Sequence, residues 1–396
     1  MSETIDPMLF GASDGQKTFI PINSRTSRRS GSADPVLFRP FVLRGLEVRN
    51  RLWVAPMCQY QSVAESGLGE GAASEWHTLH LGSMSRGGAG LVMVEATAVV
   101  PEGRITPRCL GIYNDEQEEA FARRVVPQVH AHGAKIGLQL AHAGRKASAY
   151  PLLPGQPLGL ISREEGGWET VGPSAIAFPG LSLPRALTVA EIDDIVEAFV
   201  SGAQRAARAG FDVVEVHAAH GYLLHEFLSP LSNQREDEYG GSLENRARFV
   251  RRVVQAIRQA EPDLPMIVRV SGDEWVGGGF DPASTTQLAK WLAEDGTDMI
   301  DCSTGGNVGD APIRIGPSYQ VHVASTVRAA GLPVGTVGLI TEAAEAESIL
   351  VTGQADIISI GRPLLANPHL PIVWAERLRA KNVADLIPGP YCLARF

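Results

Sequence analysis

A short β-rich run, a loop and an amphipathic helix recur eight times from Arg51 onward, and this repetition limits the fold more than any other feature. The strands read from apolar and β-branched runs are Leu52–Pro56, Leu91–Glu95, Lys135–Leu140, Asp212–Val216, Met266–Val270, Met299–Asp301, Val334–Thr336 and Asp356–Ile360. Short apolar runs of this kind suit buried parallel strands. Helix signals fall between them. Thr188-Val-Ala-Glu191 matches a capping box, after which Ile192, Ile195, Val196, Phe199, Val200 and Ala203 share one face. A second helix begins at Asp115 and buries Phe121, Val125 and Val129; Pro127 inside it predicts a kink or an early end. A third follows Gly240-Gly241-Ser242, with Ser242 as N-cap and Glu244 near the positive end of the helix dipole. Eight such units in a chain of 396 residues predict an α/β fold, a closed (β/α)8 TIM barrel. An open doubly wound sheet would want a GxGxxG turn after the first strand, and none is there.

The remaining segments fit around that barrel. Residues 1–34 mix Ser, Gly, Asp, Thr and Arg without period, so they are expected to form a flexible leader ahead of one domain over 35–396. Leu37 to Asn50 alternates apolar and polar residues on either side of Arg44-Gly45, a hairpin expected to plug the barrel bottom. Tyr150 to Leu187 is long, rich in Pro and Gly and weakly periodic; between the third and fourth units it reads as a lid.

Composition narrows the partners. The chain is 44% hydrophobic, enough for a large core, and its net charge of −9 speaks against nucleic acid or an anionic membrane surface. No apolar run reaches the ~18–20 residues of a membrane-spanning helix. Arg28-Arg29 is followed by Ser30-Gly31-Ser32-Ala33-Asp34 rather than by the apolar stretch of an export signal. Cys58, Cys109, Cys302 and Cys392 form no CxxC pair, so a reducing, cytoplasmic setting without structural zinc or other metal is expected.

In such a barrel, chemistry gathers at the carboxyl ends of the strands. There the first strand carries Ala55-Pro56-Met57-Cys58-Gln59-Tyr60, the second Glu95-Ala96-Thr97, and the third Gln139 through His142 to Arg145-Lys146. The fourth carries His217-Ala-Ala-His220-Gly-Tyr222, and the fifth ends at Arg269. Gly305-Gly306, Gly335 with Gly338, and Gly361-Arg362 follow the last three. Turns after the seventh and eighth strands offer bare N–H groups to an anion, and Arg362 adds a permanent charge. The same glycines also fit a purely structural role in tight turns. His217 and His220 admit three readings: hydrogen-bonded core histidines, metal ligands together with His225, or donors to a developing anion. Zinc motifs of the HEXXH type set their histidines four apart on a helix, whereas these are three apart out of a strand. Tyr222, with an ordinary pKa near ~10, keeps its proton at neutral pH and can hand it over. His77 and His80, on a helix, read as surface or capping residues.

Five ordered blocks carry a resemblance from about Leu37 to the C-terminus. They are Ala55–Tyr60, Gln139–Lys146, His217–Tyr222, Ser229–Arg246 and Gly361-Arg362. The chain resembles the old yellow enzyme family of FMN-dependent ene-reductases, in the thermophilic-like branch that includes bacterial xenobiotic reductases. Trp275 and Gly277–Gly279 look closer to the xenobiotic-reductase subgroup. The resemblance implies FMN as cofactor, NADPH or NADH as reductant, and an α,β-unsaturated carbonyl compound, an enone, as substrate. It implies that His217 and His220 donate to the substrate carbonyl and that Tyr222 protonates its α-carbon. Gln139 and Arg269 would hold the flavin's pyrimidine edge, with Ala55, Pro56, Met57 and Ala96 lining the ring. Gly305 and Gly306 would join Gly338, Gly361 and Arg362 as cofactor contacts, the last three at the phosphate. Cys58 would sit near the reactive edge and tune the flavin's potential, Tyr60 would be an active-site tyrosine that also meets substrate, and Lys146 and Trp275 would lie on the substrate side. Arg395 would reach a neighbouring subunit of a homodimer or homotetramer, although Phe396 follows it directly and departs from the family's spacing. The rival expectations are an FMN-dependent nitro-compound or quinone reductase and a non-catalytic flavin- or steroid-binding barrel.

Overall fold

The computed structural model describes residues 34–62, 69–394 and 396, together with the backbone of Phe10–Ser13 and Gln16–Phe19, which pair antiparallel. Most of the expected leader, and Arg395, lie outside the described residues. Eight parallel strands close into a barrel: β1 (Leu52–Val54), β2 (Leu91–Ala98), β3 (Lys135–Ala141), β4 (Val213–Ala218), β5 (Met266–Ser271), β6 (Met299–Ser303), β7 (Val334–Thr336) and β8 (Ile357–Ile360). Closure is made by β8 against β1, with Ile358 opposite Leu52 and Ile360 opposite Val54. Every expected strand is present, so the barrel reading holds. Strand β2 runs three residues further than expected, through a bulge between Val94 and Thr97.

Period-two alternation sorts the strand residues into two populations. On β4, Val214 and Val216 face the helices and join the large outer core. Val213 faces inward with Met93, Ile267, Met299 and Ile357, the apolar floor of the barrel. Beneath that floor lies the expected hairpin, Phe41–Leu43 paired with Leu46–Val48, whose Phe41, Leu43 and Val48 complete the same cluster. Its two-residue turn needs left-handed backbone at both positions, and Arg44 (φ 43°) and Gly45 (φ 80°) supply it.

The helices follow their sequence signals. Thr188 caps Val189–Ala209 by accepting from the Glu191 N–H, and Ser242 caps Leu243–Ala260 by accepting from Asn245. Around Pro127 the expected irregularity takes the form of a π-turn at Phe121–Val125, between Asp115–Ala120 and Val126–His130. Proline cannot donate to the preceding turn, and widening that turn removes the clash. The lid segment carries a small strand pair, Val171–Gly172 with Arg185–Ala186. Among the described residues no helix is long and apolar enough to cross a membrane.

Candidate active site

The alternation that puts Val213 on the floor puts Glu215 and His217 above it, on the inner wall. Neighbouring strands contribute Gln139, Arg269 and Asp301 to this interior, all at most 4% exposed. Gln139 Nε2 donates to Glu215 Oε1 at 2.7 Å, and Arg269 Nε lies 3.4 Å from Asp301 Oδ2. Arg269 thus pairs with Asp301, and its charge also acts on Glu215. Burial, then repulsion from Asp301, pushes Glu215 above the usual carboxylate range, against the opposing pull of Arg269 and Gln139. Burial raises Asp301 as well. Arg269 Nε and Asp301 Oδ1 have no hydrogen-bond partner.

Above this polar layer, β4 ends in the His217–Tyr222 turn. The His217 ring centroid is 5.2 Å from that of His220 and 5.2 Å from that of Tyr222. Burial, then the nearby Arg269 charge, holds both imidazoles well below the ordinary histidine range, so both are neutral at pH 7. They are not equivalent. His217 Nδ1 is buried and unpartnered, whereas His220 Nε2 lies 2.8 Å from Ser303 Oγ. Ser303 donates onward to Gln320 Oε1, which assigns the His220 proton to Nε2. Burial lifts the Tyr222 phenol well above its usual value, so it stays protonated. His225 does not join the pair: its Nδ1 accepts from the Gly221 N–H and its Nε2 faces Glu274.

Two cavities open beside this turn. One, of about 490 Å³, is lined by Arg269, Ser303, Tyr319, Gly338, Gly361 and Arg362 among others. A Cβ on Gly338 (φ 125°) would come within 2.7 Å of Gln320 Nε2, so the turn after β7 presents bare backbone. The Arg362 cation and the glycine turn at Gly338 and Gly361, with buried Arg269 in the same lining, suit a phosphorylated planar heterocycle. These residues fit FMN. The second cavity, of about 530 Å³, is lined by Tyr60, Lys146 and Tyr222 from the barrel and by Leu152, Leu158 and Phe178 from the lid.

The other expected residues are placed as follows. Ala55 and Ala96 are buried, while Pro56, Met57 and Cys58 remain half-buried beside them. Gln59 N donates to Glu95 Oε2 at 2.8 Å, tying the Cys58 loop to the bulge of β2. Burial, then Glu95, keeps Cys58 a thiol. Lys146 Nζ donates to the His220 carbonyl at 2.8 Å and to that of Gly306. Gly305 and Gly306 form a left-handed turn against the His220 turn. Trp275 (φ 63°) lies against Tyr319 and His322. His77 is a buried capping residue whose Nδ1 accepts from Ser74 N, as one of its readings had it. Sequence reasoning missed Glu215, Asp301, Ser303, Gln320 and Phe178. Inward alternation along β4 and β6 flags Glu215, Asp301 and Ser303; no local signal marks Gln320 or Phe178.

A closed parallel barrel whose mouth joins a phosphate-and-ring cavity to two neutral imidazoles and a phenol defines an FMN-dependent oxidoreductase. The chain belongs to the NADH:flavin oxidoreductase / NADH oxidase family, whose model matches residues 36–381. It is 44% identical over 356 residues to an NADPH dehydrogenase of Bacillus subtilis, covering 89% of this chain and 97% of that one. It is 43% identical over 355 residues to an NADPH dehydrogenase of Halalkalibacterium halodurans, covering 89% and 96%. Among solved structures, morphinone reductase superposes with a TM-score of 0.71 at 31% identity, over 89% of this chain and 91% of that one. The old yellow enzyme homologue of Zymomonas mobilis does so with 0.71 at 28%, over 87% and 93%. The expected fold, old yellow enzyme kinship, enzymatic character and FMN dependence are thereby borne out.

Proposed function

We propose that the protein reduces the activated C=C bond of α,β-unsaturated carbonyl compounds with NADPH as reductant, NADH being the alternative. The observation that carries this reading is the neutral His217/His220 pair with protonated Tyr222 beside it, 5.2 Å from ring to ring. An enone resists hydride unless charge can build on its oxygen. Neutral imidazoles each offer one N–H to that oxygen, and removal of one such donor typically costs ~3–4 kcal/mol of transition-state stabilisation. His217 and His220 each supply one ring N–H, His220 turning its own from Ser303 to the carbonyl. When bound, FMN supplies the hydride to the β-carbon. Tyr222 delivers the proton to the α-carbon, and its raised pKa ensures the proton is present across the working pH range. The relatives named NADPH dehydrogenase support the choice of reductant. Four free cysteines support a reducing, cytoplasmic setting, and family kinship supports a homodimer or homotetramer.

Purified protein is expected to be yellow and to release FMN on denaturation. His217→Ala combined with His220→Ala should keep the flavin and lose cyclohexenone turnover by about 10³-fold or more. Wild-type rates in that variant would remove the oxyanion role. Turnover of menadione or a nitro compound without any of cyclohexenone would favour the quinone- or nitro-reductase alternative.

A further inference from the structure

Two adjacent cations at the end of β3 make contacts that the chemistry above does not require. Arg145 is 4% exposed, far from a surface role. Its Nη1 donates to the Ile176 carbonyl at 3.1 Å, and its Nη2 donates to Asn307 O and Oδ1, each at 2.8 Å. Lys146 binds the carbonyls of His220 and Gly306. Both cations lie over one ring, that of Phe178 in the lid, with Lys146 Nζ 4.3 Å and Arg145 Cζ 5.7 Å from its centroid. Lys146 Nζ is also 5.4 Å from the Tyr222 centroid. On the far side the lid meets the loop after β6 so closely that a Cβ on Gly309 would lie 3.2 Å from Pro179 and 3.6 Å from Phe178.

We propose that Arg145 and Lys146 form a latch that docks the lid turn of residues 176–179 onto the loops after β4 and β6. Phe178 then sets the height of the substrate cavity and restricts it to flat, apolar carbonyl compounds. The arrangement suits this role for three reasons. The donors are already desolvated, where a cation over an aromatic face is worth most. The same Lys146 that holds Phe178 also holds the carbonyl of His220, so lid position and imidazole position share one anchor. Apart from Tyr60, Lys146, Tyr150 and Tyr222 the cavity lining is apolar, with Ile105, Leu152, Leu158 and Leu181 joining Phe178. Arg145 touches none of the reacting atoms and is a positioning residue.

The substrate part of this inference rests on the ene-reductase reading; the latch does not. The test uses FMN-loaded protein carrying Phe178→Leu or, separately, Arg145→Lys, which keeps the charge but loses the fork. Amide hydrogen exchange should quicken about tenfold across residues 176–181 in both variants, and stay at the wild-type rate in β4. KM for cyclohexenone should rise by a larger factor than kcat falls in Phe178→Leu, and an enone with a bulky ring substituent should gain relative to cyclohexenone. Wild-type exchange in both variants would overturn the latch, as would equal acceleration in the lid and β4. Unchanged preference between the two enones in Phe178→Leu would overturn the cavity-height role. If wild-type protein turns over neither enone, the ene-reductase reading fails while the exchange measurement still decides the latch.

Discussion

At the scale of single residues, the site depends on one backbone meeting. Gly221 (φ 71°) and Gly306 (φ 91°) touch, and a Cβ on Gly221 would sit 2.3 Å from the Gly306 carbonyl oxygen. That contact lets the turn bearing His220 nest against the turn that Lys146 grips. Tyr222 then begins the helix Leu223–Leu228 as its N-cap residue, with its ring on the cavity. Tyr222→Phe keeps the ring packing and deletes only the proton. It should slow the half-reaction with enone by about 10²–10⁴-fold, and slow oxidation of NADPH by less. Stopped-flow measurement of the two half-reactions checks this, and equal slowing of both would refute the proton-donor role. The motif His217-Ala-Ala-His220-Gly221-Tyr222 was legible in the sequence as a cluster of donors after a strand. Which nitrogen of His220 carries the proton was not, because that depends on Ser303 and Gln320, which lie 80 or more positions away in the chain.

At the scale of elements, local rules predicted well wherever a single segment decides the outcome. The Thr188 cap, the Ser242 cap and the irregular turn before Pro127 all follow from residues within six positions of one another. Thr188→Ala should cost about 1 kcal/mol, read from the midpoint of urea unfolding, since its hydroxyl accepts the Glu191 N–H and Glu191 closes the box. An unchanged midpoint would mean that Arg185, paired with Glu191 at 2.7 Å, holds this helix start without the cap. The bulge in β2 was missed because it exists only relative to β3: Val94 stands opposite Leu138 and Thr97 opposite Leu140. It breaks the alternation at Glu95, which then accepts from Gln59 in the Cys58 loop.

At the scale of the whole molecule, several ionisable groups lie buried in the interior. Glu226 is fully buried, with Oε1 accepting from Arg145 N and Oε2 unpartnered. Burial pushes its pKa up to about 8, against the attraction of Arg145 and Lys146. A folded-state pKa above the unfolded one means that stability is fully present below the ordinary carboxylate pKa and is lost as pH rises through about 8. One such group contributes a slope of at most about 1.4 kcal/mol per pH unit. Chemical unfolding between pH 5 and 9 should therefore show falling stability, and Glu226→Gln should flatten that fall by about one proton. A variant with the wild-type slope would show that Glu226 is ionised throughout. The sequence by itself determined the eight strand–helix units, the hairpin under the floor, the caps and the identity of the donors after β4. These depend on periodicity and near neighbours, which a linear chain displays. Only the tertiary structure decided the pairing of Glu215 with Gln139, of Ser303 with His220, and of the two cations with Phe178. Barrel closure brings distant strand ends within hydrogen-bond range, and the dry interior this creates sets which groups carry charge.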